Sequence, residues 1–295
     1  MKNEQNKIEL IEAKFKISED QIESLEELLL SDNFNRYSIE QKENENFITF
    51  YFKDIHEMEK ILKNLQMNPE IELKAEGTWK KITEDDWLDS FRKSFQPFEM
   101  IEDIWILPLK GIEEDGKNIE MKDSAILIKL IPGMAFGTGL HETTKIAARL
   151  LRKYLFPEAE VLDVGCGSGI LSVIAAKSGA KRVTAVDNDP LAVKKAEETF
   201  EINGIEAEVF VSDLFENVND KYDIIVSNII FEVLVNVLKD AKEFLKENGK
   251  LVLSGITLKK VDEFLKIALY NNYELIEELK TSDWYGCVLK KSREG

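Results

Sequence analysis

The chain has 295 residues, 39 of them basic and 56 acidic, for a formal net charge of −17. That charge repels phosphate backbones and disfavours general nucleic-acid binding, while an apolar fraction of 44% excludes a disordered chain. Two cysteines, Cys166 and Cys287, argue against a disulfide scaffold or a multi-cysteine zinc site and fit a reducing cytosol.

The length suggests one large domain or two modest ones. Met1 to Glu12 mixes charges with no apolar run, so no signal peptide is expected. The longest apolar stretch, Ile224 to Leu238, is interrupted by Ser227, Asn228, Glu232 and Asn236 and is too short and polar to span a bilayer. A soluble cytoplasmic protein is expected.

The first 78 residues alternate as β-α-β-β-α-β. Ile8 to Ile17 is predicted as a strand. Ser18 and Gln21 have capping-box spacing for a helix running through Leu30. Strands are predicted near Asn35–Gln41 and Phe47–Lys53, then a helix capped by Asp54 to about Gln66, then a strand over Ile71–Glu76. This order matches a ferredoxin-like split unit. It carries 10 basic and 18 acidic residues and no glycine before Gly77, so it holds no phosphate-cradling loop and reads as a binding or positioning module rather than a catalytic one.

Residues 79–124 read as a linker: a short helix from Thr83 with Trp87, Phe91 and Phe95 on one face, then two short strands. From Ala125, apolar strands alternate with amphipathic helices. The predicted strands are Val161–Val164, Arg182–Val186, Glu208–Val211, Asp223–Val226 and Lys250–Ser254. The helices between them are Ile170–Lys177, Pro190–Ile202, Phe231–Lys246 and Leu258–Ala268. Such alternation implies a parallel sheet covered on both faces. Tyr273–Leu279 and Tyr285–Leu289 are too closely spaced for a parallel crossover, so an antiparallel hairpin should end the sheet.

Asp163-Val-Gly165-Cys-Gly167-Ser-Gly169 falls between a strand and a helix, where glycines admit a ligand to the backbone and the helix N-terminus offers free N–H groups. Asp187 ends the next strand, where a carboxylate can accept the hydroxyls of a ribose. A nucleoside-containing ligand is therefore expected. The G-x-G-x-G spacing, with an acid two residues before the first glycine, resembles the first motif of class I S-adenosylmethionine-dependent methyltransferases rather than the usual NAD pattern. No P-loop is present.

Residues Pro132-Gly133-Met134-Ala135-Phe136-Gly137-Thr138-Gly139-Leu140-His141-Glu142-Thr143-Thr144 are similar to the signature of the ribosomal protein L-eleven methyltransferase family. Val161–Ile170, Ser227-Asn228-Ile229-Ile230, Lys250–Ile256 and the Trp87…Phe91…Phe95 linker also resemble that family. The resemblance implies a Rossmann-like class I methyltransferase sheet over 125–295. It also implies a small N-terminal substrate-recognition domain over 1–78, S-adenosylmethionine as cofactor, and methyl transfer to lysine and N-terminal amines of L-eleven. It places cofactor contacts at Thr144, Gly165, Asp187 and Asn228. Asp213 is a further candidate near the adenine, and Phe136 a candidate cover. Family members have an acid before Pro132 where this chain has Ile131, which leaves any contact of that acid open.

His141 sits beside the expected methyl donor, but a structural role is favoured over a general base, and no metal site is implied. No catalytic side chain is assigned. The expected partner is L-eleven, free or ribosome-bound, met by a monomer without membrane or direct nucleic-acid contact. The alternatives are methylation of another substrate, whether a small molecule or nucleic acid, and a non-catalytic module that keeps the cofactor fold.

Overall fold

The structure is a computed structural model and describes residues 9–31, 34, 36–42, 45–76, 79–83, 97–109, 125–131, 139 and 141–292. The chain divides into two compact units, Met1–Ser94 and Phe95–Gly295.

In the first unit, strand β1 (Glu9–Ile17) leads to helix α1 (Ile22–Ser31), strands β2 (Tyr37–Lys42) and β3 (Glu45–Phe52), helix α2 (Ile55–Met67) and the short strands β4 (Lys74–Ala75) and β5 (Lys80–Thr83). The sheet runs β2-β3-β1-β4 with every pair antiparallel, and β5 also pairs with β1. Alternate residues Ile11, Ala13 and Ile17 of β1 and Ile48, Phe50 and Phe52 of β3 form one face, packed on Leu25 and Leu29 of α1 and Ile61 and Leu65 of α2. Phe34 joins this core with its ring tilted against Phe52, the centroids 5.4 Å apart.

Three local expectations change. The predicted strand over Ile71–Glu76 shrinks to Lys74–Ala75, because Ile71 instead turns into the core and β5 takes up the remaining edge of β1. The expected boundary at residue 78 therefore falls within the stretch that edges β1, and the division runs between Ser94 and Phe95. Ser18 heads a single 3-10 turn without a side-chain cap; Gln21 does not close a box with it but accepts the Glu72 N–H at 3.4 Å.

Asp54 does cap α2, accepting the Glu57 N–H at 2.8 Å, while Glu57 accepts the Lys53 N–H at 2.6 Å and pairs with Arg36. Arg36 is buried, and its Nε donates to the Tyr51 carbonyl at 3.0 Å, so it has a partner on each side. The predicted linker helix bearing Trp87, Phe91 and Phe95 lies outside the described residues.

The second unit begins with β6 (Phe98–Ile101) and β7 (Ile104–Pro108), which form a three-stranded sheet with β8 (Ile126–Leu130). The two short linker strands thus belong with the region expected to start at Ala125, because β8 pairs parallel with β7. Then follow α3 (Glu142–Tyr154), β9 (Glu160–Val164), α4 (Ile170–Lys177), β10 (Arg182–Asp187), α5 (Pro190–Asn203), β11 (Glu208–Val211), β12 (Tyr222–Asn228), α6 (Phe231–Phe244), β13 (Leu245–Thr257), α7 (Val261–Tyr270), β14 (Tyr273–Lys280) and β15 (Trp284–Lys291).

The seven strands β9–β15 order as β11-β10-β9-β12-β13-β15-β14. The first five are parallel, and the closing hairpin is antiparallel, as its short connection requires. Leu162, Val164, Ile225, Leu251 and Leu253 pack on one side with Leu234 and Leu238 of α6 and Phe264 of α7. Their neighbours Val161, Ile224, Val226 and Val252 are equally buried, so both faces are covered. After β9 the chain moves outward through β10 and β11, then returns to β12 on the other side of β9. The gap between the carboxyl ends of β9 and β12 is the switch point at which open sheets bind ligands.

The Asp54 cap gives a test of the first unit. Asp54→Ala should lower the unfolding free energy by about 1 kcal/mol, read from the urea midpoint, and Asp54→Asn should recover most of it.

Candidate active site

The turn after β9 is held by its own backbone. Gly165 N–H and Cys166 N–H both donate to the Val186 carbonyl, at 2.8 and 3.0 Å. Gly165 has φ 74°, and a Cβ there would lie 2.5 Å from Ile229 Cγ2, so glycine is required for both conformation and space. The Asp187 carboxylate accepts the Gly167 N–H on Oδ2 at 2.9 Å and the Asp189 N–H on Oδ1 at 3.0 Å. A carboxylate has roughly four lone-pair sites, so each oxygen retains capacity for a second donor. Asp189 in turn caps α5 by accepting the Leu191 N–H at 2.8 Å, with Pro190 in the first helical turn.

Asp163 lies beneath this turn, fully buried. Its Oδ2 accepts the Ser172 N–H at 3.1 Å and the Ser172 hydroxyl at 2.7 Å; Oδ1 has no protein partner. Burial pushes its pKa up to about 7, opposed by the two Ser172 bonds and helped by the charge of Asp187. Burial also raises the Cys166 thiol, as do Asp163 and Asp187, so it is a neutral space-filling group rather than a nucleophile.

The opposite wall is the start of α3. His141 is its N-cap: Nδ1 accepts the Thr143 N–H at 3.3 Å and lies 2.8 Å from the Thr143 hydroxyl. An accepting Nδ1 puts the proton of the neutral ring on Nε2. The ring meets Trp284 of β15 edge-on, with centroids 4.9 Å apart. Burial lowers the His141 pKa to about 4, so the imidazole is neutral at physiological pH. Thr144, also buried, accepts a hydrogen bond on Oγ1 from Asn228 Nδ2 at 3.2 Å. Ser254 at the end of β13 donates to the Thr143 carbonyl at 2.9 Å, and Ser227 donates to the Val164 carbonyl at 2.7 Å.

The four residues named from sequence therefore fall into two linked pairs. Thr144 and Asn228 are hydrogen-bonded to each other, and the glycine-rich turn is hydrogen-bonded to the Val186–Asp187 strand end. Asp213 is exposed two residues beyond β11, beside the strand end of Asp187. Phe136 lies outside the described residues. Sequence reading did not assign Ser227, Ser254 or Trp284; the Ser-Asn pair that ends β12 and the Ser-Gly pair near the end of β13 were the available signal. Among the described residues no group of acidic, histidine and cysteine side chains could hold a metal, and no helix is long and apolar enough to cross a membrane.

The profile of the family described as "Ribosomal protein L11 methyltransferase (PrmA)" matches residues 5–292. The chain belongs to this family. It is 42% identical to the ribosomal protein L11 methyltransferase of Thermosipho africanus over 94% of this chain and 96% of that protein. It is 39% identical to that of Thermosipho melanesiensis over 96% and 99%. Among solved structures, a ribosomal protein L11 methylase from Lactobacillus delbrueckii subsp. bulgaricus aligns with a TM-score of 0.61 at 29% identity, covering 68% of this chain and all of that one. The sheet is thus that of the S-adenosylmethionine-dependent class I methyltransferases. The residues present fit such a cofactor: the Asp187 carboxylate is anchored by two backbone N–H groups with acceptor capacity to spare, and the Asn228 amide, held on the Thr144 hydroxyl, lies at the carboxyl end of β12.

Asp163 supplies a pH test. Its folded pKa, near 7, lies above the usual carboxylate value, so the fold favours the protonated form. The stability this gives is complete below about pH 4 and is lost as pH rises through about 7. In ligand-free thermal melts, wild type should lose stability relative to Asp163→Asn between pH 4 and 7, and the difference should level off above that range.

Proposed function

We propose that this chain transfers methyl groups from S-adenosylmethionine to lysine and N-terminal amines of ribosomal protein L11 in the cytoplasm. One observation carries the reading: the family match extends over residues 5–292, through both units rather than the cofactor-type sheet alone. A cofactor-fold module with another substrate would need to share only the second unit.

Bound S-adenosylmethionine supplies a methyl group already activated on a sulfonium. The chain is left with binding, alignment and exclusion of water. We assign the ribose to Asp187, whose oxygens are each anchored once and each keep acceptor capacity. Gly165 brings the backbone close to the ligand, and Thr144 and Asn228 hold the methionine end from the other wall. The amine must arrive neutral, which is harder for a lysine of pKa ~10.4 than for an α-amine of ~7.7–8.0. His141 is poorly suited to take that proton, since burial has already lowered its affinity and Nδ1 serves the helix cap. An apolar surrounding favours the neutral amine without a dedicated base.

We read the first unit as a ferredoxin-like recognition domain. Its β-α-β-β-α-β order and β2-β3-β1-β4 sheet support this, and its acidic surplus suits a basic protein partner.

Incubation of L11 with enzyme and S-adenosylmethionine should add whole methyl increments to its mass. An unchanged mass spectrum from folded, cofactor-binding enzyme would reject this substrate. Asp187→Ala should weaken cofactor binding about tenfold or more in calorimetry, since a hydrogen bond to a charged group contributes ~1.5–3 kcal/mol. A fragment beginning at Phe95, rather than near residue 78 where it would retain the β5 edge strand, should bind the cofactor with near-native affinity but methylate L11 poorly. Equal rates for a soluble fragment and the full chain would remove recognition from the first unit.

A further inference from the structure

Ile229 occupies the switch point itself. It follows Asn228 at the end of β12 and makes close contact on two sides. On the β9 side, its Cγ2 lies 2.5 Å from the ideal position of a Cβ on Gly165, too close for one to fit. On the β13 side, its carbonyl oxygen lies 2.2 Å from where a Cβ on Gly255 would be, and its carbonyl carbon 3.0 Å away. Both glycines have left-handed backbones, φ 74° and 97°. The strands on either side of β12 thus each meet Ile229 at a glycine, Gly165 just beyond β9 and Gly255 within β13. The side chain is only partly buried and packs on the core formed with α6 and α7.

We infer that Ile229 is a positioning residue for methyl transfer: its branched side chain, wedged under the Gly165 turn, sets the depth of the crevice and hence the separation of methyl donor and amine. The inference rests on the methyltransferase reading above. Three of the four residues assigned to the cofactor are linked to Ile229, one by contact, one by sequence and one through a hydrogen bond of its neighbour. Gly165 rests on Cγ2, Asn228 is the preceding residue, and Thr144 accepts the Asn228 amide. Without Cγ2, the turn over β9 has nothing beneath it at this contact, and its N–H bonds to Val186 would hold only its β10 side. Valine keeps Cγ2 and loses only the terminal methyl; alanine loses Cγ2, Cγ1 and the terminal methyl. In-line transfer is sensitive to such shifts, and an error of about 1 Å can cost on the order of 100-fold in rate.

The test uses the full chain, with L11 as substrate and S-adenosylmethionine binding measured separately by calorimetry. Ile229→Ala should lower kcat for L11 methylation by ~10- to 100-fold while changing cofactor Kd by less than about threefold. Ile229→Val should restore kcat to within about threefold of wild type. A thermal melt and the cofactor titration establish that each variant is folded. The inference is overturned if folded Ile229→Ala keeps wild-type kcat, if its cofactor affinity falls in step with kcat, or if Ile229→Val is as impaired as Ile229→Ala. Were wild type itself to bind cofactor and leave L11 unmodified, the substrate reading would fail instead.

Discussion

Two backbone N–H groups, those of Gly165 and Cys166, share the single carbonyl of Val186, and the site is built outward from that bond pair. It fixes the turn after β9 to the end of β10, which brings Gly167 N–H onto the Asp187 carboxylate. The carboxylate then accepts Asp189 N–H, and Asp189 starts α5. Ser212 N–H donates to the Asp187 carbonyl, which extends the same tie to the strand end of β11. A ligand carboxylate on a free loop would have to be ordered on binding; here its orientation is already determined by hydrogen bonds internal to the sheet. This is preorganisation by backbone, and side-chain identity matters mainly where glycine or an acid is needed.

Much of this was legible in the sequence because the second unit is locally consistent. The apolar runs of β9, β10, β12 and β13 are buried on both faces, and helix α4 was predicted with its observed limits because its first residue follows a glycine-rich turn and its apolar run stops before Lys177. The antiparallel hairpin followed from connection length alone. The first unit was harder to read. Ser18 and Gln21 have the spacing of a capping box, but a long-range partner, Glu72, engages Gln21 instead. The edge of β1 is divided between β4 and β5, and nothing local in Ile71–Glu76 signals that Ile71 leaves the sheet for the core. Such outcomes depend on contacts between residues from 51 apart, for Gln21 and Glu72, to 74 apart, for Glu9 and Thr83, beyond the reach of periodicity.

The site residues show the same division. Gly165 and Asp187 are visible because their roles lie in the spacing of a strand–turn–helix and the following strand end. The pairing of Thr144 with Asn228 spans 84 residues and emerges only when α3 packs across β12 and β13. Ser254 is legible as a strand-end residue, but its bond to the Thr143 carbonyl, which fixes the first turn of α3, is a product of that same packing. His141 could be read as a base from composition, since only two histidines occur. Its role as a helix cap against Trp284 needed the fold.

The electrostatics of the crevice differ from those of the whole chain. The overall charge is −17, yet the buried titratable groups around the turn are pushed toward their neutral forms: Asp163 up to about 7, His141 down to about 4, and Cys166 upward. Each shift has burial as its largest cause, and each marks a region where charge is costly. An amine entering such a region is favoured as the free base, the form that can accept a methyl group, without a side chain dedicated to removing its proton. On the proposed reading, the acidic surplus suits a basic protein substrate, and burial around the site disfavours a charge on its lysine. Long-range attraction by the excess of carboxylates and short-range preference for a neutral amine through burial are then separate effects with separate physical causes.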